Sequence, residues 1–333
     1  MAFLRSRFLR RTVVAALLSL AALAFLPGVA GAAQPATLRL VSIDPSYSST
    51  TVTMPNGTRI SSEPGLFRLR ITPAGGTAVE RPGFCVDELH VISRNVNYAV
   101  SLRTAADDPR LSTARYAEAG WLIQQAESLI AAAPAASRGL EAGALQTAVW
   151  QLTDQAREVD PTSSATLNAR TAALRALAAG RSIGGPVTIT PAMNRGCAGR
   201  SSVALALTGT PGSTATLSVA GGTGTVSPSE VRFGADGTAQ AAVTSSTPGT
   251  VSVTARSEGG TLTRIARTNG TVTTPQETMV LMPQSYSASA SVVFDDCPVI
   301  PFEDPATPTT PTTPNTPVAP LETPGGKPAT PAV

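Results

Sequence analysis

The sequence has almost no lysine. Of its 25 basic residues only Lys327 is a lysine, and all the others are arginines. A GC-rich genome that spells basic residues as arginine accounts for such a skew without any function. Whatever its cause, the chain ahead of Lys327 carries no lysine amine. Long apolar runs are missing after residue 26, which excludes a later bilayer-spanning helix. Cysteine is limited to three residues and histidine to one, His90. A positive surplus is also missing once the first residues are read for what they are. Arg5, Arg7, Arg10 and Arg11 precede an apolar run from Val13 to Leu26, a Pro27-Gly28 break and the small residues Ala30-Gly31-Ala32. That is the pattern of a secretory signal peptide cleaved after Ala32. Four arginines and no acidic residue leave with it, so the formal net charge falls from +3 to −1. Nucleic-acid binding through a basic face is thereby excluded, and the expected location is extracellular, secreted or on the cell surface.

What is present divides the mature chain into two domains and a tail, as its length of about 300 residues suggests. Residues 33–184 open with strand-like text: Leu38–Val41, Thr51–Met54 and the alternating Phe67–Ile71, separated by Pro55-Asn56-Gly57 and Pro73-Ala74-Gly75-Gly76 turns. Phe84-Cys85-Val86-Asp87 reads as a strand end. Apolar residues at Trp121/Leu122, Ala126, Leu129/Ile130 and Ala133 predict an amphipathic helix over 114–133. A second helix is predicted over 140–158, and a third is capped by Ser163/Ser164 and stops at Gly180. Residues 33–184 therefore read as an α+β domain. From residue 185 to 303 the period returns to two, with short strands at Val203–Leu207, Thr216–Val219, Val231–Phe233, Ala239–Val243, Val251–Ala255 and Ser291–Phe294. Such spacing predicts an all-β sandwich. Its stretch from Phe233 through Ala255 resembles the bacterial immunoglobulin-like modules of surface proteins. Residues 304–333 are a Pro/Thr repeat with little to bury, expected to be an extended disordered stalk.

Three cysteines in an exported chain leave at least one without a disulfide partner. Cys197 and Cys297 flank the predicted sandwich, and an oxidising compartment favours their pairing. Closing the 100-residue loop between them is worth about 4–5 kcal/mol in the chain-entropy account. Cys85 is then left over in the other domain.

Phe84-Cys85-Val86-Asp87, the helix with Gly120-Trp121-Leu122-Ile123, and Leu145-Gln146-Thr147-Ala148-Val149-Trp150 occur in this order. Together they resemble the thioester domain of Gram-positive surface proteins, also called the TQXA domain. The family pattern is an aromatic-Cys-x-Asp strand and, later, a helix reading Thr-Gln-x-Ala-aliphatic-Trp; Leu145 stands here in place of the threonine. The resemblance covers about residues 37–180. It implies that the Cys85 thiolate attacks the side-chain carbonyl of Gln146, expels ammonia and leaves an internal thioester. Phe84, Trp121 and Trp150 are the expected walls of a pocket that keeps water out. Ala142, Gly143 and Trp150 share the face of Gln146 at i−4, i−3 and i+4, so small residues leave room for Cys85.

The resemblance further implies an adhesin that reacts once with a lysine amine of an extracellular partner protein and so is not an enzyme. It needs no cofactor or metal. Cell-wall association is expected, although Leu321-Glu322-Thr323-Pro324-Gly325 replaces the usual sortase signal. A lysine-free body cannot consume its own electrophile and excludes Lys–Asn cross-links within the sandwich. A rival reading makes the chain a structural or binding envelope protein whose Cys85 never reacts. A Cys85–His90 hydrolase lacks any local signature around the cysteine. Asp107-Asp108 and Asp295-Asp296 lack the ligand series of a calcium loop and read as solvated.

Overall fold

The computed structural model describes residues 33–221, 223–268 and 275–298. The expected leader (1–32) and Pro/Thr stalk (304–333) lie outside the described residues. Six strands come first: β1 (Gln34–Ser46), β2 (Thr50–Thr53), β3 (Arg59–Ser62), β4 (Gly65–Pro73), β5 (Val79–Cys85) and β6 (Asn97–Arg103). Three helices follow, α1 (Ala114–Ala132), α2 (Arg138–Leu152) and α3 (Ala165–Ala178). Then come β7 (Thr188–Pro191), β8 (Arg195–Cys197), β9 (Val203–Thr208), β10 (Thr214–Ala220), β11 (Gly224–Ser227), β12 (Glu230–Arg232), β13 (Thr238–Ser245), β14 (Gly249–Arg267) and β15 (Thr278–Asp295).

The expected short strands near 251–255 and 291–294 are the ends of β14 and β15, 19 and 18 residues long, which pair along their whole length from Gly249↔Phe294 to Ile265↔Thr278. One half of this hairpin belongs to a sandwich. Its apolar positions Val251, Val253, Ala255, Val292 and Phe294 pack with Leu217, Val231 and Phe233 against Val203, Leu205, Leu207 and Val243 of the four-stranded sheet β11-β13-β9-β7. The other half turns to the first part of the chain. There β14 pairs with β6, β6 with β1, β1 with β4, β4 with β5, and β5 with β15, all antiparallel. Because β14 and β15 also pair with each other, these six strands close into a barrel without a free edge. Arg264–Arg267 of β14 and Thr278–Val280 of β15, which lie in the segment read from sequence as the sandwich domain, thus close a barrel begun more than 200 residues earlier at β1; the described residues through Asp296 belong to one compact unit.

Strand alternation sorts the side chains into two cores. Inside the barrel lie Leu38, Leu40, Phe67, Leu69, Ile71, Tyr98, Val100, Ile265 and Val280, together with Cys85. Outside it Phe84, Leu66, Leu262 and Met279 pack against the helices. The first of these, α1, buries Leu122, Ala126 and Ile130 of its predicted apolar face together with Ala119, Gly120 and Ile123, while Trp121, Leu129 and Ala133 are half-buried. In α2, by contrast, every residue from Glu141 to Leu152 is buried, so it is a central helix and not an amphipathic one. It also ends at Leu152, six residues before the expected stop. Asp154 takes a left-handed φ of 60°, and the amides of Gln155 and Ala156 turn back onto the Trp150 carbonyl. Ser164 caps α3 by accepting from the Leu167 amide. No helix among the described residues is long and apolar enough to cross a membrane.

Candidate functional site

Strand β4 accompanies β5 only as far as Phe67↔Gly83, whereas β15 continues on the other side to Thr278↔Cys85. One edge of Cys85 is therefore left without a strand. The Gln146 side chain fills it. The Cys85 amide donates to Gln146 Oε1 at 2.9 Å, and Gln146 Nε2 donates to the Cys85 carbonyl at 2.9 Å. A side-chain amide here stands where the peptide of a neighbouring strand would stand, and both residues are fully buried. The close approach of α2 depends on glycine. A Cβ at Gly139 would lie 2.5 Å from the Ser46 carbonyl oxygen, and one at Gly143 would lie 2.5 Å from the Tyr47 Cβ.

Cys85 is a free, buried thiol. The Asp87 amide donates to its sulfur at 3.3 Å. Burial pushes the thiol well above its ordinary value, and the Glu88 charge adds to the effect; the Asp87 amide and the Trp150 indole act the other way by favouring the thiolate. Glu88 is itself buried and has its carboxyl pushed up to about 7 by desolvation, against a hydrogen bond from the Ser62 hydroxyl. Trp150, at the C-terminal end of α2, is buried in the cluster that fills the barrel.

Asp87 is held in turn. His90 Nδ1 lies 2.9 Å from Asp87 Oδ1, and Arg267 Nη1 lies 2.5 Å from His90 Nε2. A guanidinium can only donate, so His90 accepts through Nε2 and donates through Nδ1. Neither ring nitrogen is left to serve Cys85. Arg267 also faces Glu277, which with Asp108 flanks Arg264 in a mostly buried ion-pair chain running on to Arg110.

Of the residues singled out from sequence, Cys85, Gln146 and Trp150 come together. Phe84 neighbours Cys85 in sequence but points to the opposite side of the barrel wall, into the helix core. Trp121 is half-buried against that same helix core, with the Arg181 guanidinium 5.2 Å from its ring centroid, and is not grouped with Cys85. Cys197 and Cys297 are both disulfide-bonded. Asp108 pairs with Arg110 and Arg264, and Asp295 with Arg195, so these acids are ion-paired. No cluster of three or more metal-binding side chains occurs among the described residues. Sequence reasoning missed Thr278 and Glu88. Glu88 carried a signal in its position three residues after the cysteine; Thr278 carried none, since only barrel closure brings it to Cys85.

No protein-family profile matches the chain, and no curated protein matches it. Solved structures do resemble it. The thioester domain of the Enterococcus faecium TIE86 protein is 14% identical, with a TM-score of 0.35, over 80% of this chain and 98% of that one. The Bacillus anthracis TIE protein is 13% identical, with a TM-score of 0.33, over 79% of this chain and 49% of that one. The D00-D0 domain of Intimin is 16% identical, with a TM-score of 0.23, and the match spans 34% of this chain and about half, 48%, of that one.

Proposed function

We propose that the protein is an exported surface adhesin in which Cys85 and Gln146 condense to an internal thioester that captures an amine of a partner protein. The observation that carries this reading is the pairing of a fully buried cysteine with a fully buried glutamine amide through two hydrogen bonds. A primary amide yields to a thiol only when the two are held together in a dry site. The Cys85 amide polarises the Gln146 carbonyl by donating to Oε1, which is where charge develops on attack. Sγ then bonds to the Gln146 Cδ, the Cδ–Nε2 bond breaks, and the thiol proton leaves on nitrogen as ammonia. An incoming amine reverses the geometry: its nitrogen bonds to Cδ, the Cδ–Sγ bond breaks, and the amine proton returns to sulfur.

The bond so formed is an amide, and the protein reacts once; it is not an enzyme in this reading. The partner is an extracellular protein with an accessible lysine amine. Absence of lysine ahead of Lys327 keeps the folded part from reacting with itself. Secretion rests on the leader and cell-wall association on the family resemblance. The direct test is labelling with an amine probe such as biotin-cadaverine. The probe should be found on the former Gln146, with Cys85 released for alkylation. A label elsewhere, or none, with Cys85 alkylatable from the outset, would overturn the proposal.

A further inference from the structure

Among the described residues, buried side-chain polar atoms without a hydrogen-bond partner include Trp150 Nε1, Thr278 Oγ1 and Asp87 Oδ2. Trp150 is buried in the same cluster as Cys85 and Thr278 is its partner across the sheet, whereas Asp87 Oδ2 lies 3.5 Å from the Arg267 guanidinium. Thr278 is directly opposite Cys85 across the β5–β15 ladder, so both side chains point into the barrel. The Val86 amide bonds to the Glu277 carbonyl beside them at 2.9 Å, which makes Thr278 and Cys85 a close, non-hydrogen-bonded pair. Trp150, one turn after Gln146 on α2, is buried in the same cluster as Cys85, and its indole N–H favours the thiolate. Thr278 is 0% and Trp150 1% exposed, so neither donor is satisfied by solvent. Buried donors left unpaired are uncommon, and they persist where the partner appears only during a reaction.

We propose that the Trp150 indole N–H and the Thr278 hydroxyl are the catalytic donors that hold the negative charge on the Cys85 sulfur while its bond to Gln146 forms and breaks. This inference rests on the thioester reading. The work is divided by geometry: the Cys85 amide already holds the Gln146 oxygen, so the charge left to stabilise is on sulfur. That charge appears twice, when the thiol proton is released for attack and when an amine expels the thiolate. Both steps take place where Glu88 and Asp87 oppose it from the loop after β5. Arg267 on β14 is tied to Asp87, His90 and Glu277, and α2 faces the sulfur with the neutral side chains of Gln146 and Trp150. The two donors supply what the surrounding carboxyls take away.

The test is the rate of ammonia loss after refolding, and the rate of thioester opening by methylamine, across pH, by intact mass. Trp150→Phe keeps an aromatic ring without the N–H, Thr278→Val keeps the shape without the hydroxyl, and Thr278→Ser restores the hydroxyl. Each deletion should slow both rates about 100-fold or more, as loss of one preorganised donor does. The thiolate limb of the pH–rate profile should move to higher pH, and Thr278→Ser should keep the wild-type profile. A thioester-bearing wild type with unaltered rates and profile in Thr278→Val or in Trp150→Phe overturns this inference alone. A wild type that never loses ammonia overturns the thioester reading itself. If Trp150→Phe does not fold, the Val and Ser pair at position 278 decides.

Discussion

The side-chain amide of Gln146 and the backbone of Cys85, 61 residues apart, exchange two hydrogen bonds of 2.9 Å where strand β5 has lost its neighbour on one side. Gln146 is thus a structural element as well as a reactant. Replacing it with alanine strands a buried N–H and a buried carbonyl, at a cost of about 2–4 kcal/mol. Cys85→Ala leaves those backbone groups paired. Chemical denaturation should therefore show Gln146→Ala to be the less stable of the two, and both should keep the full mass of the unreacted chain.

Glu88 makes stability depend on pH in an unusual direction. Its carboxyl sits near 4.5 when exposed and is pushed up to about 7 in the folded protein by burial. The folded state then binds the proton more tightly than the unfolded state between these values. Its contribution is present below about 4.5 and lost as pH rises through about 7, amounting to roughly 3 kcal/mol. Unfolding measured from pH 4 to 8 should show this decline, and Glu88→Gln should flatten it.

Helix α2 reaches Cys85 because Gly139 lies against the Ser46 carbonyl. Alanine normally favours a helix over glycine by up to about 1 kcal/mol. Here Gly139→Ala should instead destabilise by about 1–3 kcal/mol, since the new methyl meets backbone and not a side chain that can swing away. Thermal denaturation gives the sign directly, and slower ammonia loss should accompany it.

Arg264 is only 13% exposed and is flanked by Asp108 and Glu277, themselves mostly buried. Arg264→Met removes the buried cation between these two carboxylates and leaves Asp108 to the more exposed Arg110 and Glu277 to Arg267. A loss of about 3–5 kcal/mol is expected near neutral pH. Chemical denaturation of the wild type and the variant side by side at neutral pH measures the difference.

Much of this site could be read before folding because its parts are local. The aromatic-Cys-x-Asp strand and the Gln146–Trp150 helix each occupy a few consecutive residues, and the Ser164 cap lies at the helix it starts. What was hidden depends on distance along the chain. The first half of β15 has a short apolar run, Met279–Met282, but Pro283 and Gln284 cut it off and nothing local announces its partner, β5, nearly 200 residues earlier. Thr278 could be placed at Cys85 only through that pairing. Trp121 misled because family motifs report order and not direction: its face of α1 turns toward Arg181. His90 invited a role at Cys85, but Asp87 and Arg267 occupy both its nitrogens.

The most direct test of the central claim is the intact mass of the purified wild-type chain under denaturing, non-reducing conditions. The thioester account predicts a mass short by one ammonia beyond any disulfide loss, restored and raised by one methylamine on incubation with that amine, with one new thiol at Cys85. A full mass that methylamine does not change, with Cys85 open to alkylation throughout, would contradict it.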